Sequence, residues 1–260
     1  MTDLSLIAFD VGNSAVKCAV RRAAGWEVVF RVATHPIAAL GDRIAEALTA
    51  CAGRLPAGPR RWLASSVFPD ADRALFEDCR RRGVPGPEVF GRDLPIPIPA
   101  LVRHPERVGA DRLLCALGAR ELFGAPCITV GAGTAITVDL VDAEGRFAGG
   151  AIAPGFGLAA RALHEAAARL PLVDPQPPPG PVGRDTEEAI RSGVEAFCCG
   201  GAAALVSAMA AEPGAGGHPT VVLTGGDAGR LTAALRPCAG RFEVVPDLIF
   251  HGMSAALDGV

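Results

Sequence analysis

No tyrosine occurs in the chain, and aromatic residues make up only 5% of it. Beside abundant Ala, Gly, Pro and Arg, that scarcity reads as compositional bias without functional meaning. No block of Lys or Arg exists and the net charge is −3, so the basic footprint of a nucleic-acid binder is missing. Eight cysteines, at 18, 51, 79, 115, 127, 198, 199 and 238, form no C-x-x-C pair, and no His stands at ligand spacing. Metal and disulfide frameworks therefore lack support. Buried, reduced thiols are expected instead, as in the apolar run Leu114-Cys115-Ala116. The first ten residues carry no basic region and soon turn polar, so no signal peptide is expected. No apolar run is read as approaching the roughly 18 residues that span a bilayer, so no membrane role is expected. Both common nucleotide fingerprints are absent: G-x-x-x-x-G-K-S/T, and G-x-G-x-x-G opening a helix after a strand.

What is present suits a packed enzyme. Half of the chain is apolar and a fifth is charged. The length allows one large domain or two intimate halves of about 130 residues each. Periodicity predicts strands over 4–10, 15–21 and 26–32, then a helix over 37–51 and a buried strand over 61–67. A helix over 70–82, with Asp70 as its cap, precedes a Pro-rich irregular stretch over 83–105. A helix over 112–123 leads to strands over 126–130, 135–141 and 145–152. A long helix over 187–211, a strand over 220–223 and a closing helix over 247–257 complete the chain. Residues 175–181 hold five prolines in seven positions and read as a stiff loop.

One pattern recurs. Ile7-Ala8-Phe9-Asp10-Val11-Gly12-Asn13-Ser14 and Ile128-Thr129-Val130-Gly131-Ala132-Gly133-Thr134-Ala135 each run from an apolar strand into a Gly turn and back as a hairpin. Each is followed by a further strand and a helix, about half a chain apart, which suggests an internal duplication. A Gly turn bares backbone N–H groups to a phosphate. Asp10 beside such a turn would repel that phosphate unless Mg²⁺, arriving with ATP, lies between them. Ser14 adds a hydroxyl and Lys17 a cation. A plain hairpin with Asx-type turn residues is the competing reading of this segment. A third Gly element, Thr224-Gly225-Gly226-Asp227, joins a strand to a helix and would receive the nucleoside.

Acceptor chemistry is expected at Gly109-Ala110-Asp111-Arg112. A carboxylate there could take the proton of an attacking alcohol, and Arg112 could hold an anionic acceptor. Asp111 also reads as a plain helix cap, held ionised and weakly basic by the helix N-terminus. Near Thr186, Asp185 and Glu188 stand at capping-box spacing, so a structural role is the default there.

These residues, in this order, resemble type III pantothenate kinases of the acetate-and-sugar-kinase, Hsp70 and actin superfamily. The resemblance rests on Asp10-Val11-Gly12-Asn13-Ser14, Ser65-Ser66-Val67-Phe68-Pro69, Gly109-Ala110-Asp111-Arg112-Leu113 and Gly133 through Asp139. Gly149 through Gly155, Arg169-Leu170-Pro171, Gly183 with Thr186, and Thr224-Gly225-Gly226 extend it over nearly the whole chain. It implies an α/β protein with a duplicated actin-like (ribonuclease H-like) fold. The two similar halves, 1–113 and 114–260, would flank a nucleotide cleft. It further implies a cytoplasmic, homodimeric enzyme that moves the ATP γ-phosphoryl group to the terminal hydroxyl of pantothenate, the first step of coenzyme A synthesis.

Carried over by position, Asp10, Val11, Gly12, Asn13, Ser14, Ala15, Val16, Lys17 and Thr134 would bind ATP, with Asp10 holding Mg²⁺. Gly109, Ala110, Asp111, Arg112 and Thr186 would bind pantothenate, with Asp111 as the proton acceptor. Many relatives carry an Asp at the position of Gly131, where it helps hold K⁺ or NH₄⁺. No monovalent-cation site is expected here. Many also carry a pantothenate-contacting Tyr where this chain has Val102. That difference keeps open another small-molecule kinase of the superfamily, and a non-catalytic nucleotide-binding regulator.

Overall fold

The computed structural model describes residues 5–56, 58, 60–81 and 86–258. Strand β1 (Ser5–Val11) buries Ile7, Ala8 and Phe9 in succession, as a central strand covered on both faces must. It pairs antiparallel with β2 (Ala15–Arg22), which pairs antiparallel with β3 (Gly25–Ala33). On its other side β1 pairs parallel with β4 (Arg60–Ser66), and β4 with the two-residue β5 (Glu88–Val89). The order is β3-β2-β1-β4-β5. Ile7, Phe9 and Val11 share a core with helices α1 (Leu40–Ala50) and α2 (Pro69–Arg81), and Phe9 stacks on Trp62 at 5.8 Å. Alternation therefore turns Asp10 to the opposite face.

The later segment repeats that plan. β6 (Cys127–Ala132), β7 (Ala135–Val141) and β8 (Phe147–Pro154) form an antiparallel meander. β9 (Thr220–Thr224) runs parallel to β6, and β10 (Arg241–Val244) parallel to β9. The order β10-β9-β6-β7-β8 is the first sheet's order, strand for strand. Its core takes helices α4 (Phe156–Ala166), α5 (Thr186–Ala210) and α6 (Ala228–Leu235). Helices α3 (Ala110–Phe123) and α7 (Leu248–Asp258) complete the set. Contacts divide the chain into two units, and the chain crosses between them more than once. One unit comprises Met1–Pro97, Arg107–Gly118 and Ile249–Val260; the other comprises Ile98–Glu106 and Ala119–Leu248. In the first unit α7 lies so close to α3 that a Cβ on Gly252 would fall 1.9 Å from the Leu114 carbonyl oxygen.

Several expectations need correction. The helix expected from 37 opens as a short 3₁₀ turn, and α1 starts only at Leu40. Asp70 lies inside the first turn of α2, not at its cap, because the helix begins at Pro69. Asp111 likewise lies within the first turn of α3, which begins at Ala110. Leu4, Arg82 and residues 83–85 lie outside the described residues. The expectation about apolar runs fails at α5, which is long and apolar enough, by length and composition alone, to cross a membrane. Its last 18 residues carry a single charge, Glu195. Ile190, Val194, Cys198, Ala202 and Val206 recur every fourth residue and pack into the second core. That is the stripe of a core helix whose remaining positions are rich in Ala and Gly. The cysteines form no disulfide among the described residues, and burial pushes the Cys127 thiol up to about 12.

Candidate active site

In the first unit the β1–β2 hairpin sets Asp10 directly opposite Lys17. Lys17 Nζ lies 3.6 Å from Asp10 Oδ2, and both side chains are about four-fifths shielded. Lys17 is the only lysine in the chain, all other basic side chains except histidine being Arg. The turn is braced from behind. Gly12 N–H donates to Ala15 O at 3.0 Å, Thr34 N–H to Ser14 O at 3.0 Å, and the buried Thr34 hydroxyl to Gly12 O at 2.8 Å. Asn13 and Ser14 stay exposed. Val11 and Val16 are core residues, so only their backbone is available to a ligand.

The acceptor motif lies beside the same strand ends. Val67 N–H donates to Val11 O at 3.2 Å. A Cβ on Gly109 would stand 3.7 Å from Val67 Cγ1 and 2.4 Å from Asp111 Oδ1. The Asp111 carboxylate folds back over Gly109, so a side chain there would have to displace it. Gly109 O accepts from Arg112 N at 3.1 Å and Leu113 N at 3.3 Å, which starts α3. Burial pushes the Asp111 carboxyl above its ordinary value, against the opposing pull of the Arg112 and Asp111 backbone N–H groups and the Arg112 charge. The helix start does not win, contrary to the expected weakly basic carboxylate. Asp111 is a better base than an ordinary aspartate.

In the second unit three backbone turns pack together. Gly133 N–H closes the β6–β7 turn on Ala135 O at 3.1 Å, and Thr134 O accepts from Gly155 N at 3.0 Å. Gly155 is the N-cap of α4, and a Cβ there would lie 2.2 Å from Gly133 O. Ala132 O accepts from Asp227 N, the N-cap of α6, at 3.1 Å. Gly225 has φ +103, and its Cβ would strike Ala132 O at 2.2 Å. Two helix starts without side-chain caps thus flank the 132–134 turn, an arrangement that favours anions. Gly155 and Gly225 are dictated by packing. Gly12 and Gly133 are not: neither has positive φ, and a Cβ would meet nothing nearer than 3.4 and 3.9 Å. The fold itself therefore does not require glycine at either position, and the open backbone there leaves room for a ligand.

Across residues 6–209 the chain matches the family model described as type III pantothenate kinase. A type III pantothenate kinase from Gluconobacter oxydans is 37% identical over 97% of this chain and 93% of its own length. The chain belongs to this family. A second type III pantothenate kinase, from Hyphomonas neptunium, is 37% identical over 85% of this chain and 87% of its own. Among solved structures, the activator of the 2-hydroxyisocaproyl-CoA dehydratase from Clostridium difficile, with bound ADPNP, superposes with a TM-score of 0.54. It covers 98% of this chain and 94% of its own at 14% identity, a likeness of fold alone.

Within this pantothenate kinase fold, Thr186 opens α5 on its exposed end and takes no part in its own helix cap. Asp185 Oδ1 accepts from Glu188 N at 2.8 Å, and Glu188 Oε2 accepts from Arg184 N at 2.9 Å. Gly183 is pressed against that first turn, its Cβ position 2.2 Å from Ala189 N. Gly131 faces Thr137 across the hairpin, and a Cβ there would lie 2.6 Å from the Thr137 hydroxyl. Val102 lies against Gly149 of β8, its Cγ1 3.3 Å from where a Cβ would be. Among the described residues no group of three His, Cys, Asp or Glu gathers. One carboxylate, Asp10, fits a Mg²⁺ that keeps water and phosphate ligands, and does not make an all-protein cage.

Proposed function

We propose that this chain phosphorylates the terminal hydroxyl of pantothenate with ATP, the opening step of coenzyme A synthesis. The observation that carries the reading is the meeting of the Asp10–Lys17 hairpin, the end of β4 and a half-buried, basicity-raised Asp111 in one unit. Asp111 accepts the hydroxyl proton while the pantothenate oxygen bonds to the γ-phosphorus and the bond to ADP breaks. The transition state is loose, so positioning and charge matter most and the proton can leave late. The exposed turn at Asn13 and Ser14 receives phosphate, as does Thr134 in the same reading, and Lys17 balances the charge as a compact cation. Asp10 would hold Mg²⁺, which would supply positive charge against the phosphates. Gly109, Ala110, Arg112 and Thr186 bind the acceptor, Arg112 matching its carboxylate.

No monovalent-cation site is proposed, since glycine offers only a carbonyl at 131 and the Thr137 hydroxyl fills the space beside it. The enzyme would act in the cytoplasm as a homodimer. Support for a second copy comes from the large exposed apolar side chains among the described residues, all of which fall in the second unit. A different hydroxylated acceptor is the second reading, favoured by the short Val102 beside Gly149. ADP release with pantothenate and with a panel of other alcohols decides between them. Release with pantothenate above all others is expected. Release that ignores pantothenate would overturn the reading.

A further inference from the structure

Four segments of the second unit meet on Arg230, in the first turn of α6. Its guanidinium carbon lies 3.5 Å from the centroid of the Phe156 ring, well inside cation–π range. One terminal nitrogen pairs with Glu195 of α5, and the other donates to Pro175 O at 2.5 Å. The Arg230 and Glu195 side chains are only 16% and 24% exposed, so solvent screens the pair weakly.

Position gives the cluster its meaning. Phe156 is the first residue of α4, directly after Gly155, whose N–H is fixed on Thr134 O. Arg230 follows three residues after Asp227, whose N–H is fixed on Ala132 O. One guanidinium therefore bolts together the two helix starts that flank the 132–134 turn and ties both to α5. We propose that Arg230 is a positioning residue for nucleotide binding, holding the Gly133-Thr134 turn and the Gly225-Gly226 turn in fixed register through α4 and α6. This rests on the ATP reading above. A lysine can replace it only in part, since one ammonium cannot lie flat on a ring while reaching two separate acceptors.

The test is the affinity for ADP and a non-hydrolysable ATP analogue by calorimetry, with steady-state constants for both substrates. Arg230→Met should raise the nucleotide Kd and KM roughly tenfold or more, since small misplacements of binding groups are costly. The KM for the acceptor should hardly move. Arg230→Lys should recover part of the loss. Glu195→Gln keeps size and the ring stack, so it should shift nucleotide affinity in the same direction by less, and it carries the test if Arg230→Met fails to fold. Unchanged nucleotide affinity in Arg230→Lys and Glu195→Gln, or equal rises in both KM values, would overturn the inference alone. Absence of nucleotide binding by the unaltered chain would overturn the ATP reading with it.

Discussion

Asp111 sits where two electrostatic effects oppose each other, and burial prevails over the helix start and Arg112. A carboxyl whose folded pKa is raised stabilises the fold below its unfolded value. That contribution is lost as pH rises through the folded value, so at neutral pH the ionised group works against folding. Asp111→Asn should therefore melt no lower than the unaltered chain at pH 7, and any gain should vanish in acid. Turnover should fall about 10²–10⁴-fold, the usual cost of losing a general base. The acid limb of the rate profile in the unaltered enzyme should lie above an ordinary aspartate's range. A variant of near-normal rate would leave Asp111 a structural residue of α3. The raised basicity was not legible in the sequence, because burial is a tertiary property. Lys17 was legible as a cation, but its standing as the chain's only lysine among 24 arginines is the sharper signal. It also makes a direct test possible. An amine-directed reagent should modify Lys17 and abolish activity, and saturating ATP should protect it. Peptide mapping reads the site, and labelling unaffected by ATP would remove Lys17 from the phosphate subsite.

Strand-turn-strand units were the legible elements, because β1–β2 and β6–β7 carry apolar runs interrupted by turn glycines. What escaped were short edge strands and the helix after the second meander. β5 has two residues and β10 four, too few to show a period, and each exists only through its neighbour. The sequence reading assigns no range to α4; in the structure Gly155 is its N-cap, pressed on Gly133. The same comparison separates two kinds of glycine, and that separation is testable. Gly225→Ala forces a side chain onto positive φ and into Ala132 O, so it should cost about 2–5 kcal/mol of stability. Gly12→Ala has room within the fold and should leave the melting temperature nearly unchanged, yet weaken ATP binding measurably. Calorimetry and thermal melts on both variants check this. If Gly12→Ala bound ATP normally, the hairpin turn would not be in close contact with phosphate.

At the scale of the whole molecule, the matching strand orders of the two sheets turn a short sequence repeat into a duplicated fold. The distribution of exposed apolar side chains does not follow that duplication. Single exposed Leu or Val residues are ordinary on any surface. Segregation is not ordinary: Leu101, Leu122, Ile152, Leu158, Leu163, Leu172, Val182, Phe197 and Val244 all belong to the second unit. Phe197 is 62% exposed, on the same helix that Thr186 opens, and eleven residues of α-helix span about 16 Å. An aromatic side chain of that exposure on a rigid helix is a natural anchor for a second copy. Phe197→Glu should therefore convert a dimer into a monomer by light scattering at micromolar concentration, with an unchanged far-ultraviolet spectrum. Because Thr186 lies on that helix, the monomeric variant should also show a raised KM for pantothenate, with the KM for ATP less affected. A dimer that persists in both Phe197→Glu and Ile152→Glu would place the interface elsewhere. An unaltered chain that is monomeric at tens of micromolar would remove the second copy from the mechanism, leaving Thr186 to act on acceptor bound by its own subunit.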